Sequence, residues 1–187
     1  VNDELLHKNL CFVRNASGAV PGTFLPRQEH GTSLLASTGT ADPKIQGPFL
    51  ILSTPFTASG AVDFDALARG ACYVDWCGCP GMIWPQSGDS VDLLTTEEKL
   101  QGMEVLAKTC RKLHTTALCL GVQGKDTAEM LAFAEHAEKL APTAMISRPP
   151  DSGKTQDDMR QYWRALASVT KRPVIQQTTG GVAYKGP

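Results

Sequence analysis

From about residue 49 the chain repeats one pattern five times: a short unbroken apolar run, a polar turn, then apolar residues at helical spacing. The apolar runs are Phe49–Ser53, Gly81–Pro85, Thr116–Val122, Thr143–Ser147 and Val174–Gln177. Their starts, at 49, 81, 116, 143 and 174, lie about 27 to 35 residues apart, the length of a strand–helix unit that returns to a parallel neighbour. The runs lack internal alternation, which predicts burial on both faces and a parallel sheet flanked by helices.

Local signals predict four helices between these strands. Asp63 caps a helix reaching Trp76, with Leu67, Ala71 and Val74 on its apolar side. Thr95-Thr96-Glu97-Glu98 forms a capping box opening a helix to about Lys112, with Leu100, Met103, Leu106 and Ala107 facing in. Asp126 starts the third, whose stripe is Met130, Phe133, Ala134 and Ala137. Thr155 starts the fourth, with Met159, Tyr162, Trp163, Leu166 and Val169 inside. Five such units fit either a doubly wound sheet or the first five units of a (β/α)8 barrel, and periodicity does not separate the two.

Residues 1–46 read differently. Gly18, Pro21, Gly22, Pro26, Gly31, Gly39 and Pro43 are scattered among Ser, Thr and Asn with no sustained period, which predicts a poorly ordered leader or linker. The segment lacks the basic start and apolar core of an intact signal peptide, although a remnant of a longer leader fits it. The domain proper is expected over 47–187. The cytoplasm is the expected compartment, with export as the alternative.

Charge excludes several partners. The 187 residues carry 18 basic and 19 acidic groups, a net charge of -1, so neither nucleic acid nor a membrane surface is an expected partner. Of the six cysteines, Cys77-Gly78-Cys79 is the only close pair; a soft metal or a strained disulfide there is a weaker reading than free thiols. Cys72, Cys110 and Cys119 fall on apolar faces, where a thiol packs as a small hydrophobe, and reduced thiols are expected.

A parallel sheet gathers its chemistry at the carboxyl ends of its strands. Here those ends read Thr54-Pro55-Phe56, Pro85-Gln86-Ser87-Gly88-Asp89, Gly121-Val122-Gln123, Arg148-Pro149-Pro150 and Gln177-Thr178-Thr179. Hydroxyls, amides and one arginine suit a carboxylate or carbonyl, and do not suit a metal, which wants clustered His, Asp or Glu. Ser152-Gly153-Lys154-Thr155 imitates the end of a phosphate loop. However, Arg148 stands where that loop needs Gly, and Pro149 and Pro150 lack the N–H groups that would cradle phosphate. A helix start capped by Thr155 is the simpler account.

These residues resemble a known family. Thr54-Pro55-Phe56-Thr57 followed by Gly60-Ala61-Val62-Asp63-Phe64-Asp65-Ala66-Leu67 looks like the opening of the dihydrodipicolinate synthase / N-acetylneuraminate lyase family. Pro85-Gln86-Ser87-Gly88-Asp89-Ser90 with Leu94-Thr95-Thr96-Glu97-Glu98-Lys99 parallels its next block, and Gly121-Val122-Gln123, Ala134–Glu138 and Pro173-Val174-Ile175 follow in order. The resemblance spans about 47–187. It implies an α/β fold, an incomplete (β/α)8 TIM barrel of about five βα units. It also implies a class I lyase that forms a Schiff base between a strand-six lysine and pyruvate or a related 2-keto acid. A neutral, partly desolvated amine attacks the keto carbon, and the iminium then serves as electron sink.

Carried over on this resemblance, the expected substrate-binding residues are Thr54, Gln86, Ser87, Gly88, Arg148 and Gln177. Ser87 matches the second of two hydroxyl residues that grip the keto-acid carboxylate, and Gln86 replaces the first. No cofactor is expected. The tyrosine pair after strand four is replaced by Asp151-Ser152, and the Tyr-Asn pair ending strand five by Gln177-Thr178. The strand-six lysine has no counterpart, since Lys185 follows strand five, so no catalytic residue is assigned and no turnover is expected of these 187 residues alone. A non-catalytic small-molecule binder on the same barrel is the alternative, and an unrelated doubly wound module the third reading. A homo-oligomer is expected of the full-length protein. Trp76 and Trp84 read as packing groups, His114 and His136 as solvent-facing, and Arg148 as paired with either substrate carboxylate or a neighbouring acid.

Overall fold

A computed structural model of the chain describes residues 45–113, 116–150, 153 and 155–177. The leader assigned to 1–46 lies outside the described residues except for 45 and 46. His114, Asp151, Ser152, Lys154, Thr178 and Lys185 are outside them as well.

The strands are β1 (Phe49–Ile51), β2 (Gly81–Trp84), β3 (Ala117–Gly121), β4 (Ala144–Ser147) and β5 (Val174–Gln176). Between them lie helices α1 (Phe64–Trp76), α2 (Thr96–Cys110), α3 (Thr127–Leu140) and α4 (Gln156–Val169), with a short 3₁₀ turn at Val91–Leu93. All four caps are built as the sequence predicts. Asp63 Oδ1 accepts the Ala66 N–H at 2.8 Å and Asp126 Oδ1 the Glu129 N–H at 2.9 Å. Thr95–Glu98 and Thr155–Asp158 each close a reciprocal box. Each cap satisfies an N–H that the first helical turn leaves without a partner.

The sheet order is β1-β2-β3-β4-β5 and every neighbouring pair is parallel. A doubly wound sheet reverses its strand order at a switch point; this one never does. The helices agree. Buried residues of α1, α2, α3 and α4 all enter one cluster, against the sheet face that carries Met82, Trp84, Leu118, Leu120 and Met145. The opposite face carries a separate small cluster of Ile83, Cys119, Ala144 and Ile146, joined by Ile45, Phe49 and Ile175. One face is thus covered by helices and the other is lined by strand residues, the two layers of a barrel wall. The fold is an incomplete TIM barrel, with five strands and four intervening helices among the described residues.

Four expectations need correction. β1 and β5 are not buried on both faces: Leu50 is 50% and Ile51 38% exposed, and β5 is intermediate to exposed along its length, because among the described residues these two strands are the edges of the sheet. Trp76 is 47% exposed and lies beside Tyr73, ring centroids 5.7 Å apart, at the end of α1. His136 is half-buried, with Nε2 3.4 Å from Glu104 Oε1 across α2 and α3. Cys72 is disulfide-bonded, whereas Cys77, Cys79, Cys110 and Cys119 are free thiols.

Trp84 is fully buried, and its indole lies where the first side-chain atom of a larger residue at Gly102 of α2 would be. An alanine at Gly102 would gain about 1 kcal/mol of helix propensity, but overlap with a rigid buried ring costs about 1–3 kcal/mol. Gly70 of α1 has nothing within 4 Å of such an atom. Urea unfolding should therefore show Gly102→Ala destabilised by up to about 2 kcal/mol and Gly70→Ala stabilised by about 0.5–1 kcal/mol. Equal shifts in the two variants would contradict this placement of Trp84.

Candidate ligand site at the carboxyl ends of the strands

Two hydrogen-bonded groups meet at the loop after β2. In the first, the Thr54 hydroxyl donates to Asp89 Oδ2, the Thr54 N–H donates to the same oxygen at 2.9 Å, and Trp84 Nε1–H donates to Thr54 Oγ1 at 2.9 Å. Thr54 is buried, and its hydroxyl is engaged as donor and acceptor. The Asp89 N–H donates to the Gln86 carbonyl at 3.0 Å, so the end of β1 fixes the loop that carries Gln86 and Ser87.

The second group joins β2 to β5. Gln86 Oε1 accepts the Gly88 N–H, which orients the amide so that Nε2 donates to Gln177 Oε1. Ser87 Oγ–H donates to that same Gln177 oxygen at 3.0 Å. Two donors thus converge on one carbonyl oxygen. A side-chain atom added at Gly88 would come within 2.8 Å of Ile51 Cδ1 and 3.1 Å of Gln86 Oε1, so glycine permits this turn. Gln177 is positioned by its own N–H, which donates to the Ser147 carbonyl at 2.9 Å.

This contact reports curvature. β2 and β5 are separated by β3 and β4, and three strand spacings of about 4.8 Å make about 14 Å on a flat sheet. A serine and a glutamine cannot bridge that span with one hydrogen bond unless the sheet bends toward them. At Gly121 the lack of a side chain lets β3 lie against the Pro85 carbonyl.

Arg148, at the end of β4, is paired with an acid. Its Nη2 donates to Asp92 Oδ1 of the 3₁₀ turn at 3.3 Å, and its side chain is 11% exposed. Pairing with a neighbouring acid, one of the two roles expected for it, is thus present. Asp89 and Asp92 were not singled out from sequence, and no local signal marks them, because their partners lie 35 and 56 residues away.

Gln123 was also passed over as a site residue. It is 5% exposed, and neither its Nε2 nor its Oε1 has a hydrogen-bond partner. The register places it at the same rim. Leu120 is level with Trp84, Gly121 with Ile146 and Ser147 with Gln176. Counting forward three, two and one residues sets Ser87, Gln123, Arg148 and Gln177 at one level.

Among the described residues no group of three or more His, Cys, Asp or Glu is placed to hold a metal ion, and no helix is long and apolar enough to cross a membrane. The buried thiols are not activated. Burial pushes Cys119 up from 9.0 to about 12, and burial followed by the charge of Asp75 does the same to Cys110.

Comparison with known proteins then decides the family. Residues 44–178 match the model of the dihydrodipicolinate synthetase family. The chain belongs to that family. It is 28% identical to the 4-hydroxy-tetrahydrodipicolinate synthase of Moorella thermoacetica over 123 residues, 65% of this chain and 41% of that protein. With the Streptomyces coelicolor 4-hydroxy-tetrahydrodipicolinate synthase 1 it shares 31% over 128 residues, 65% of this chain and 40% of that protein. Solved structures share the fold. The dihydrodipicolinate synthase of Agrobacterium tumefaciens superposes with a TM-score of 0.66 at 23% identity, covering 73% of this chain and 46% of that one. The N-acetylneuraminate lyase of Mycoplasma synoviae gives 0.65 at 19% identity, covering 71% of this chain and 46% of that one. The chain spans less than half the length of these relatives.

The thiols give a direct check. Iodoacetamide at about pH 8, read by mass spectrometry, should modify the exposed Cys77 and leave Cys110 and Cys119 untouched in the folded protein. The unfolded thiols ionise near 9.0 and the folded ones near 12. Their neutral form therefore supports the fold fully below about pH 9, and that support is lost as pH rises toward about 12. Unfolding midpoints should fall across that window. Fast labelling of Cys119 in the native state would contradict its burial.

Proposed function

We propose that the rim formed by Gln86, Ser87 and Gln177 binds the carboxylate of pyruvate or a related 2-keto acid, within a class I Schiff-base lyase. The observation that carries this reading is the convergence of Gln86 Nε2 and Ser87 Oγ on a single oxygen, that of Gln177. A ligand carboxylate oxygen taking that oxygen's place receives the same two donors, and the bonds strengthen because the acceptor is then charged. Gln86 is pre-oriented by the Gly88 N–H, so little reorganisation opposes binding. Thr54 acts through Asp89 as a positioning residue for that loop. Arg148 supplies a nearby cation shared with Asp92, adding attraction for an anionic ligand. Family membership supports the reaction class, and on this reading the amine that forms the iminium is a lysine ending a sixth strand. On the same reading the protein works as a homo-oligomer in the cytoplasm, with a first domain boundary near residue 47.

A non-catalytic binder of the same acids would share every one of these contacts. The replacement of the strand-five Tyr-Asn pair by Gln177-Thr178 favours it enough to require separation.

Pyruvate binding, measured by titration calorimetry, should weaken about ten- to a hundredfold in Ser87→Ala, since a hydrogen bond to a charged group contributes about 1.5–3 kcal/mol. Unchanged affinity would overturn the carboxylate assignment. Borohydride reduction of the natural protein with pyruvate should leave a covalent adduct on a lysine. Binding without an adduct would select the non-catalytic reading.

A further inference from the structure

A cavity of about 140 Å³ opens at the far end of the sheet from the rim, where α2 and α3 finish and β3 and β4 start. Ala107, Leu118, Leu140 and Pro142 form its apolar wall, with Arg111 and Thr143 beside them. Cys110 lines it as a neutral thiol, because burial and the charge of Asp75 push it up to about 12. An apolar cavity of about 150 Å³ accommodates a benzene ring, so there is room here for a ligand body of that size. Arg69, Arg148, Arg160 and Arg172 each lie beside a carboxylate. Arg111 does not. It is exposed at the C-cap of α2, and among the described residues its guanidinium has neither an ion pair nor a hydrogen bond. Lys108 stands in the same last turn, Lys112 follows Arg111, and Lys139 stands in the last turn of α3. The carbonyl ends of the two helices and the charge of Asp75 oppose an anion here. Asp75 Oδ1 is taken up by the Thr116 N–H and hydroxyl at 3.2 and 2.7 Å, however, and the four cations outnumber it. Complementing two helix ends accounts for cations, but it does not require an apolar recess beside one of them.

We infer that this cavity binds a small apolar monocarboxylate, its body against Leu118, Leu140 and Pro142 and its carboxylate on Arg111 and Thr143. The planar guanidinium matches both oxygens of a carboxylate, and the Thr143 hydroxyl supplies a further donor. A phosphate fits worse, since any oxygen that missed Arg111 and Thr143 would press unpartnered against leucine and proline side chains. A neutral hydrocarbon fills the same volume and forgoes the cation. The site is separate from the rim. Thr116 and Thr143 precede β3 and β4, whereas Gln123 and Arg148 follow them, and the five residues of β3 hold the two ends about 17 Å or more apart. Binding here is independent of whether the rim takes 2-keto acids.

The probes are benzoate and isovalerate, with toluene and pyruvate for contrast, titrated into isotope-labelled protein and followed by nuclear magnetic resonance. A ligand of about nine heavy atoms should bind with a Kd on the order of 1 mM. Benzoate and isovalerate should both move the methyl signals of Leu118 and Leu140, and pyruvate should leave those signals in place. Toluene should bind about fivefold or more weakly than benzoate, and Arg111→Gln should weaken benzoate about five- to tenfold while holding toluene within about twofold. Lys112→Gln removes the same charge outside the cavity wall, and should change benzoate affinity by less than about twofold, since an exposed charge is screened. Both positions are exposed, so neither substitution threatens the fold. Leucine methyl signals unmoved at about 20 mM benzoate, equal affinity for toluene and benzoate, or equal losses in the two variants would overturn the site. Benzoate shifts confined to Gln86, Ser87 and their neighbours would overturn it too, by leaving the rim as the place where anions bind.

Discussion

The structure depends on how far a singly wound parallel sheet curves between β2 and β5. With strand order unbroken and helices on one face only, curvature has one direction available, toward the face without helices. That bend brings residues from strands separated by two others into hydrogen-bonding range, as Ser87 and Gln177 demonstrate at 3.0 Å. A flat sheet of the same sequence would have the same strand ends and no site, because their polar groups would each face water alone.

Packing on the helix side is connected to that site through one side chain. Gly102 leaves room for the Trp84 indole, whose N–H reaches Thr54. Thr54 then binds Asp89, and the Asp89 N–H fixes the Gln86 carbonyl. A change in volume on α2 is therefore transmitted to the orientation of Gln86 through one buried and one partly buried link and a turn. Close packing makes such a path stiff, because a displaced ring has no void to move into. The glycine, the tryptophan and the threonine are a single arrangement viewed from three elements.

Much of the fold was legible because its signals are local. Caps at Asp63, Thr95, Asp126 and Thr155 are read within four residues, and helical stripes such as Met130, Phe133, Ala134 and Ala137 within two turns. All were observed as expected. Strand runs predicted burial well for β2, β3 and β4, which have neighbours on both sides, and failed for β1 and β5 because an edge cannot be recognised from a run alone. Barrel and doubly wound sheets share one period, so only strand order and the one-sided helix layer separated them. Residues at the rim could be nominated from their position after each strand. Which of them touch could not be read in advance: Gln86 meets Gln177 across 91 residues, and the orphaned amide of Gln123 is defined by the absence of partners, which no sequence pattern encodes.

The most direct test of the central claim is a titration of the isotope-labelled protein with pyruvate, following side-chain amide signals by nuclear magnetic resonance. If the oxygen of Gln177 stands where a carboxylate belongs, the Nε2 resonances of Gln86 and Gln177 will move together and saturate with a single affinity. Shifts confined to surfaces away from this rim, or saturation that leaves both amides unmoved, would contradict the account.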